Sequence, residues 1–156
     1  MKNWLAGVLL CSLVVLSGCT QNLPEPQATD SLETLHIGNQ TLRVAVMRTS
    51  EELAQGLSGR ASVPGDGMLF LLPERQVAQF WMKDMQFAID MIWIDGEQIV
   101  GIVENVPPPQ PGQSLDALPT IRSPQPVTVV LELPAGDFRQ LELATGAGVF
   151  QRTVRF

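Results

Sequence analysis

Apolar residues fall into short runs, alternating or continuous over four to eight positions, with Gly, Pro, Asn and Asp between them. This is the pattern of strands joined by turns rather than of helices. Leu32 to Ile37 and Thr41 to Met47 flank Gly38-Asn39 and predict a hairpin. Thr49 with Glu52 three residues later is a capping box, predicting a short helix from Ser50 to about Leu57 that Gly56 and Gly59 close. After the turn Pro64-Gly65-Asp66-Gly67, the run Met68 to Leu72 reads as a strand ended by Pro73. Gln79 to Met82 and Ala88 to Ile94 read as further strands, and Asp95-Gly96 as the turn into Gln98 to Val106. Along Ile89 to Asp95 the odd positions 89, 91 and 93 face one side, and Asp90, Ile92 and Ile94 the other. Pro107 to Ser123 carries five prolines and is expected to be a long loop. Val127 to Leu133 is the strongest strand, a short helix is expected from the turn Pro134 to Asp137 to about Leu141, and Val149 to Phe156 is a closing strand. About seven strands with one or two short helices make an α+β domain, mainly antiparallel, with a curled or barrel-like sheet.

Composition narrows the class. The chain has 156 residues, suiting one domain, and 45% of them are hydrophobic, too many for a disordered chain. Ten Lys+Arg stand against 16 Asp+Glu, a formal net charge of -6 with no basic cluster, which excludes the electrostatic footprint of a nucleic-acid binder.

The first residues change the picture more than the charge does. Met1 to Cys19 has one positive charge at Lys2, an apolar core from Trp4 to Leu16, and small residues after it. That is the layout of a secretory signal, and the core is too short to span a membrane comfortably. Leu16-Ser17-Gly18-Cys19 resembles the bacterial lipobox, in which the thiol accepts a diacylglyceryl group before cleavage. The expected organisation is a signal peptide over 1–18, lipidation at Cys19, a tether over 19–31 rich in polar residues and proline, and one domain over 32–156. Removal of the signal takes Lys2 and Cys11 with it, so the mature domain becomes one unit more acidic and has no disulfide. Thr20, rather than Asp, after the lipidated cysteine resembles the pattern sorted to the outer membrane, facing the periplasm.

Four strings in order carry a family resemblance. Gln55-Gly56-Leu57 with Gly59-Arg60, then Gly67-Met68-Leu69-Phe70, then Phe80-Trp81-Met82-Lys83, then Ile89 to Asp95 resemble the DUF192 family of small bacterial and archaeal proteins. Two positions depart from the family pattern: Asp84-Met85 replaces Asn-Thr, and Gly146-Ala147 replaces Gly-Asp near the end. The resemblance implies a compact β-rich domain and brings no activity with it.

The candidate chemistry gathers around Phe80 to Asp90. Arg60, Trp81, Lys83, Asp84 and Asp90 form either a pocket with an aromatic floor and a charged pair or a structural ion pair. Asp90, set between Ile89 and Met91, needs Arg60, Lys83 or backbone N–H groups as partners if buried. Asp84 and Asp90 are the only nearby carboxylate pair offered for acid/base work. Met68, Met82, Met85 and Met91 offer soft thioethers for Cu(I), but they sit in apolar strings where core packing explains them. His36 is expected to be an exposed or hydrogen-bonded strand residue, and a zinc ligand set is missing. Ser58 lacks both the nucleophile-elbow spacing and a histidine. No cofactor is implied. If Trp81 is core, Trp81→Ala costs about 3–5 kcal/mol; a near-neutral change places it at a surface. The expectation is a lipid-anchored, non-catalytic binding or accessory module, touching the membrane through its acyl chains and an envelope protein or small ligand through its domain. The alternative is a small enzyme or a soft-metal-handling protein. The Pro-rich loop is a further surface for partners.

Overall fold

The computed structural model describes residues 31–150. The expected signal peptide, Cys19, the expected tether up to residue 30 and positions 151–156 of the expected closing strand lie outside the described residues. The elements are β1 (Leu32–Ile37), β2 (Gln40–Met47), α1 (Ser50–Gln55), β3 (Gly67–Gln76), β4 (Gln79–Trp81), β5 (Ile89–Asp95), β6 (Gln98–Val106), β7 (Thr120–Arg122), β8 (Val127–Pro134), α2 (Asp137–Gln140) and β9 (Val149–Phe150), with a 3-10 turn at Leu115–Ala117. A seven-stranded sheet runs in the order β6-β5-β8-β3-β2-β1-β9, and β4 and β7 form a second, two-stranded sheet.

All the ladders are antiparallel except β2–β3. Parallel neighbours need a crossover, and α1 lies in it. The crossover re-enters the sheet through a tight clasp: the Arg43 N–H donates to the Asp66 carboxylate at 2.7 Å, and the Asp66 N–H donates back to the Arg43 carbonyl at 2.8 Å. Gly65, at φ +58°, is needed there because a Cβ would fall 2.4 Å from that carbonyl.

The sheet curls until the segment before β9 meets the start of β6, through a bridge between Gln98 and Gly148. A single bridge makes this a curled sheet, not a closed barrel. The face inside the curl holds one core, including Leu35, Val44, Leu69, Ile92, Leu131 and Val149. The other face holds a second core, including Ala45, Met68, Phe70, Met91, Trp93 and Val130. Burial on both faces explains why β5 and β8 read as nearly continuous apolar runs.

Four boundaries differ from the sequence reading. The Pro-rich stretch contains β7, whose Phe80↔Ile121 pairing with β4 supplies long-range stabilisation that local composition does not reveal. Pro73 does not end β3; it falls in the irregular register between Leu71 and Gln76, where a missing N–H costs nothing. α1 stops at Gln55, because Gly56 takes φ +48°. Asp95 pairs with Gln98, so Gly96 and Glu97 form the turn. The Gly38-Asn39 hairpin and the capping box stand as read, with Ile37 paired to Gln40 and both capping bonds present.

Candidate functional site

A cavity of about 380 Å³ opens on the second face of the main sheet. Its first wall is α1 and the chain that follows. The Glu52 N–H donates to Thr49 Oγ1 at 3.2 Å, while Glu52 Oε2 accepts from the N–H groups of Thr49 (2.9 Å) and Arg48 (2.7 Å). Those backbone bonds hold the Glu52 carboxyl below its ordinary range. The capped helix turns Leu53, Ala54 and Gln55 to the cavity. Gly56 then brings the backbone so near Phe70 that a Cβ would lie 3.1 Å from the ring.

The second wall is β4 and the turn after it, contributing Gln79, Phe80, Trp81, Met82 and Met85. Phe80 clamps this wall to the sheet. Its ring meets Phe70 edge-on at 5.2 Å and 87°, and Trp93 at 5.9 Å and 62°, geometries worth about 0.5–1.5 kcal/mol each beyond burial. Ser123 ties the strand pair at its end, accepting from the Ala78 N–H at 3.0 Å and donating to the Gln125 carbonyl at 2.7 Å. Trp93 Nε1 is buried and has no acceptor among the described residues.

Glu132 lines the cavity from β8, between Met68 on β3 and Met91 on β5 in the strand registers. It is 5% exposed. Among the described residues no donor or cation is bonded to its carboxyl. Burial alone pushes it up to about 8, so at neutral pH it is mainly the uncharged acid. The other polar residues lining the cavity are neutral: Gln55, Ser58, Gln76 and Gln79. Ser58 Oγ donates to the Lys83 carbonyl at 2.8 Å, and among the described residues no base is bonded to it.

The five residues singled out in the sequence separate. Trp81 is on the cavity wall and 54% exposed, so it is a surface ring, not a core one. Lys83 Nζ stands 5.6 Å over the Trp81 ring and 4.0 Å from Asp84 Oδ2, and Lys83 does not line the cavity. Arg60 Nε donates to the Gly56 carbonyl at 3.0 Å, bracing the loop behind α1. Asp84 takes φ +55°, and its carbonyl accepts from the Gly59 N–H at 2.9 Å.

Asp90 is elsewhere. Wholly buried, it receives the N–H groups of Asn105 (2.8 Å), Gly136 (2.8 Å) and Phe138 (3.1 Å). Of the partners considered for it, backbone N–H groups are those it has, and it fixes both the Asn105 kink of β6 and the start of α2. Asp84 and Asp90 therefore do not act as a pair. Met68, Met82, Met85 and Met91 do converge on the second core, with Met82 and Met85 reaching the cavity. His36 Nδ1 lies 3.0 Å from Thr41 Oγ1 across the hairpin. Among the described residues no group of His, Cys, Asp and Glu could hold a metal ion, and no helix is long and apolar enough to cross a membrane.

Glu132 was missed in the sequence, although a signal was present: it is the one charged residue within the apolar run Val127 to Leu133, the same conflict that drew notice to Asp90.

Fold and site together define a curled-sheet α+β domain with a ligand-sized cavity floored by a solitary carboxyl. The chain belongs to the DUF192 family, described as "Uncharacterized ACR", whose profile matches residues 33–150. No curated protein matches the chain. Two solved structures are similar. A protein of unknown function from Novosphingobium aromaticivorans DSM 12444 is 25% identical with a TM-score of 0.70, over 81% of this chain and 89% of that one. A putative transcription regulator from Sinorhizobium meliloti 1021 is 27% identical with a TM-score of 0.70, over 82% of this chain and 99% of that one. Against the family pattern, Asp84 retains a side chain that tolerates positive φ, while Met85 gives the cavity an apolar wall.

Proposed function

We propose that this protein is a lipid-anchored envelope module that binds a small, largely apolar ligand and does no chemistry on it. The observation that carries the reading is the cavity with Glu132 at its base. Its size falls in the range of small-molecule sites, and it pairs apolar walls with one polar group able to orient a guest. A non-catalytic role is supported by the lining: the carboxyl has no second acid, base or activated nucleophile beside it among the described residues. The transcription-regulator name of the Sinorhizobium meliloti structure does not extend to this chain, whose charge of -6 disfavours nucleic acid.

The anchor rests on Leu16-Ser17-Gly18-Cys19, and the absence of Asp after Cys19 supports the outer membrane, with the domain facing the periplasm. Two measurements test the reading. Labelled palmitate enters the wild-type chain and not Cys19→Ala, which accumulates as a precursor of higher mass; label in the variant refutes the anchor. Ligand-observed NMR on the full chain with an apolar fragment set detects binders that Ala54→Trp, at the cavity wall, excludes. Binding that survives this blockade refutes the site.

A further inference from the structure

We propose that the cavity selects a small monocationic amine with an apolar body, whose ammonium group is received by the Glu132 carboxylate. This rests on the binding reading above and assigns the class of ligand.

Three observations point to a cation. First, Glu132 is 5% exposed and has no partner among the described residues. A Gln there would serve a neutral ligand at less cost; what a carboxyl adds is the capacity to carry charge. Second, among the described residues no Lys or Arg lines the cavity, so an anionic ligand, or the acidic end of a zwitterion, meets no counter-charge from them inside. Lys83 is not part of the lining; its Nζ lies 5.6 Å from the Trp81 ring centroid and 4.0 Å from Asp84 Oδ2. Third, Phe70, Phe80 and Trp81 offer ring faces and edges along the wall, surfaces that accommodate both an apolar body and a desolvated cation.

The protons balance simply. The ligand enters as its ammonium form, Glu132 loses its proton to solvent, and an ion pair replaces a neutral acid in a low-dielectric site. Burial holds the empty-site carboxyl up to about 8, so affinity for the amine rises about tenfold per pH unit below that point and levels above it.

Three probes with one body separate the possibilities: 2-phenylethylamine, 2-phenylethanol and phenylacetate, titrated calorimetrically against the full chain from pH 6 to 8.5. The amine is expected to bind most tightly at pH 8, to gain affinity with pH, and to release one proton per ligand at pH 6, read from buffers of different ionisation enthalpy. The alcohol is expected to show a flat profile, and phenylacetate the weakest binding. Glu132→Gln should cost the amine about tenfold or more at pH 8, as a charge-assisted contact is lost, and abolish the rise of its affinity with pH, while changing alcohol binding by a much smaller factor. Because Gln is nearly isosteric, a wild-type circular dichroism spectrum and cooperative unfolding report an intact fold. Equal, pH-independent binding of amine and alcohol, or preference for phenylacetate, overturns the amine assignment and leaves the binding module standing. Binding of none of the three, or binding that Ala54→Trp does not remove, overturns both.

Discussion

Glu132→Gln gives a stability prediction that needs no ligand. In the unfolded chain this carboxyl ionises near 4.5, whereas burial in the native cavity holds it protonated up to about 8. Between those values the native state binds a proton that the unfolded state has lost, so native stability falls as pH rises. Glu132 contributes its full share below about 4.5 and loses it progressively up to about 8. At about 1.4 kcal/mol per unit, the loss is on the order of 4–5 kcal/mol across the interval, a large part of a domain's typical stability of about 5–15 kcal/mol. Gln is nearly isosteric with the protonated acid and cannot ionise, so the variant is expected to match wild type near pH 5 and to exceed it by several kcal/mol at pH 8. Urea unfolding of both proteins at pH 5, 6, 7 and 8 measures this, and the difference between them cancels every titrating group they share. The carboxyls of Asp95 and Glu104, lowered by hydrogen bonds from Arg75 and Arg139, act in a separate window, since their stabilisation is lost only as pH falls through their depressed values. Parallel curves for the two proteins would refute the reasoning, as would a wild type that gains on the variant toward pH 8.

Other perturbations test neighbouring parts of the structure. Asp90→Ala strands three backbone N–H groups around a buried site and is expected to cost about 3–5 kcal/mol in chemical unfolding, with Asp90→Asn intermediate; a change under about 1 kcal/mol would show those bonds to be dispensable. Trp81→Ala, at a ring 54% exposed, is expected to alter stability by less than about 1 kcal/mol while weakening any cavity ligand; a loss in the range of a core aromatic would contradict the surface placement. Titration with Cu(I) is expected to yield no stoichiometric complex, because Met68, Met82 and Met91 are packed in the second core at 2% exposure or less; a defined 1:1 endpoint would revive the soft-metal alternative.

Much of the architecture followed from the chain alone, because the signals are local. The alternation around Gly38-Asn39 specifies the first hairpin, Thr49 and Glu52 specify the helix start, and apolar runs bounded by Gly and Pro mark β3, β5, β6 and β8. What only tertiary structure decided depends on partners distant in sequence. Whether Thr120–Arg122 is strand or loop turns on β4, some forty residues earlier. The parallel placement of β2 beside β3 turns on the crossover and its clasp at Arg43 and Asp66. The site divides the same way. An isolated charge in an apolar strand announces a conflict, as at Asp90 and Glu132, but not its resolution. The curl carries Asp90 to three N–H groups that donate to its carboxyl, and sets Glu132 beneath a cover of α1 and β4 where none of the described residues does. One acid thus fixes the segments around it while the other faces the cavity with no bonded partner among the described residues, a difference in surroundings rather than in residue type.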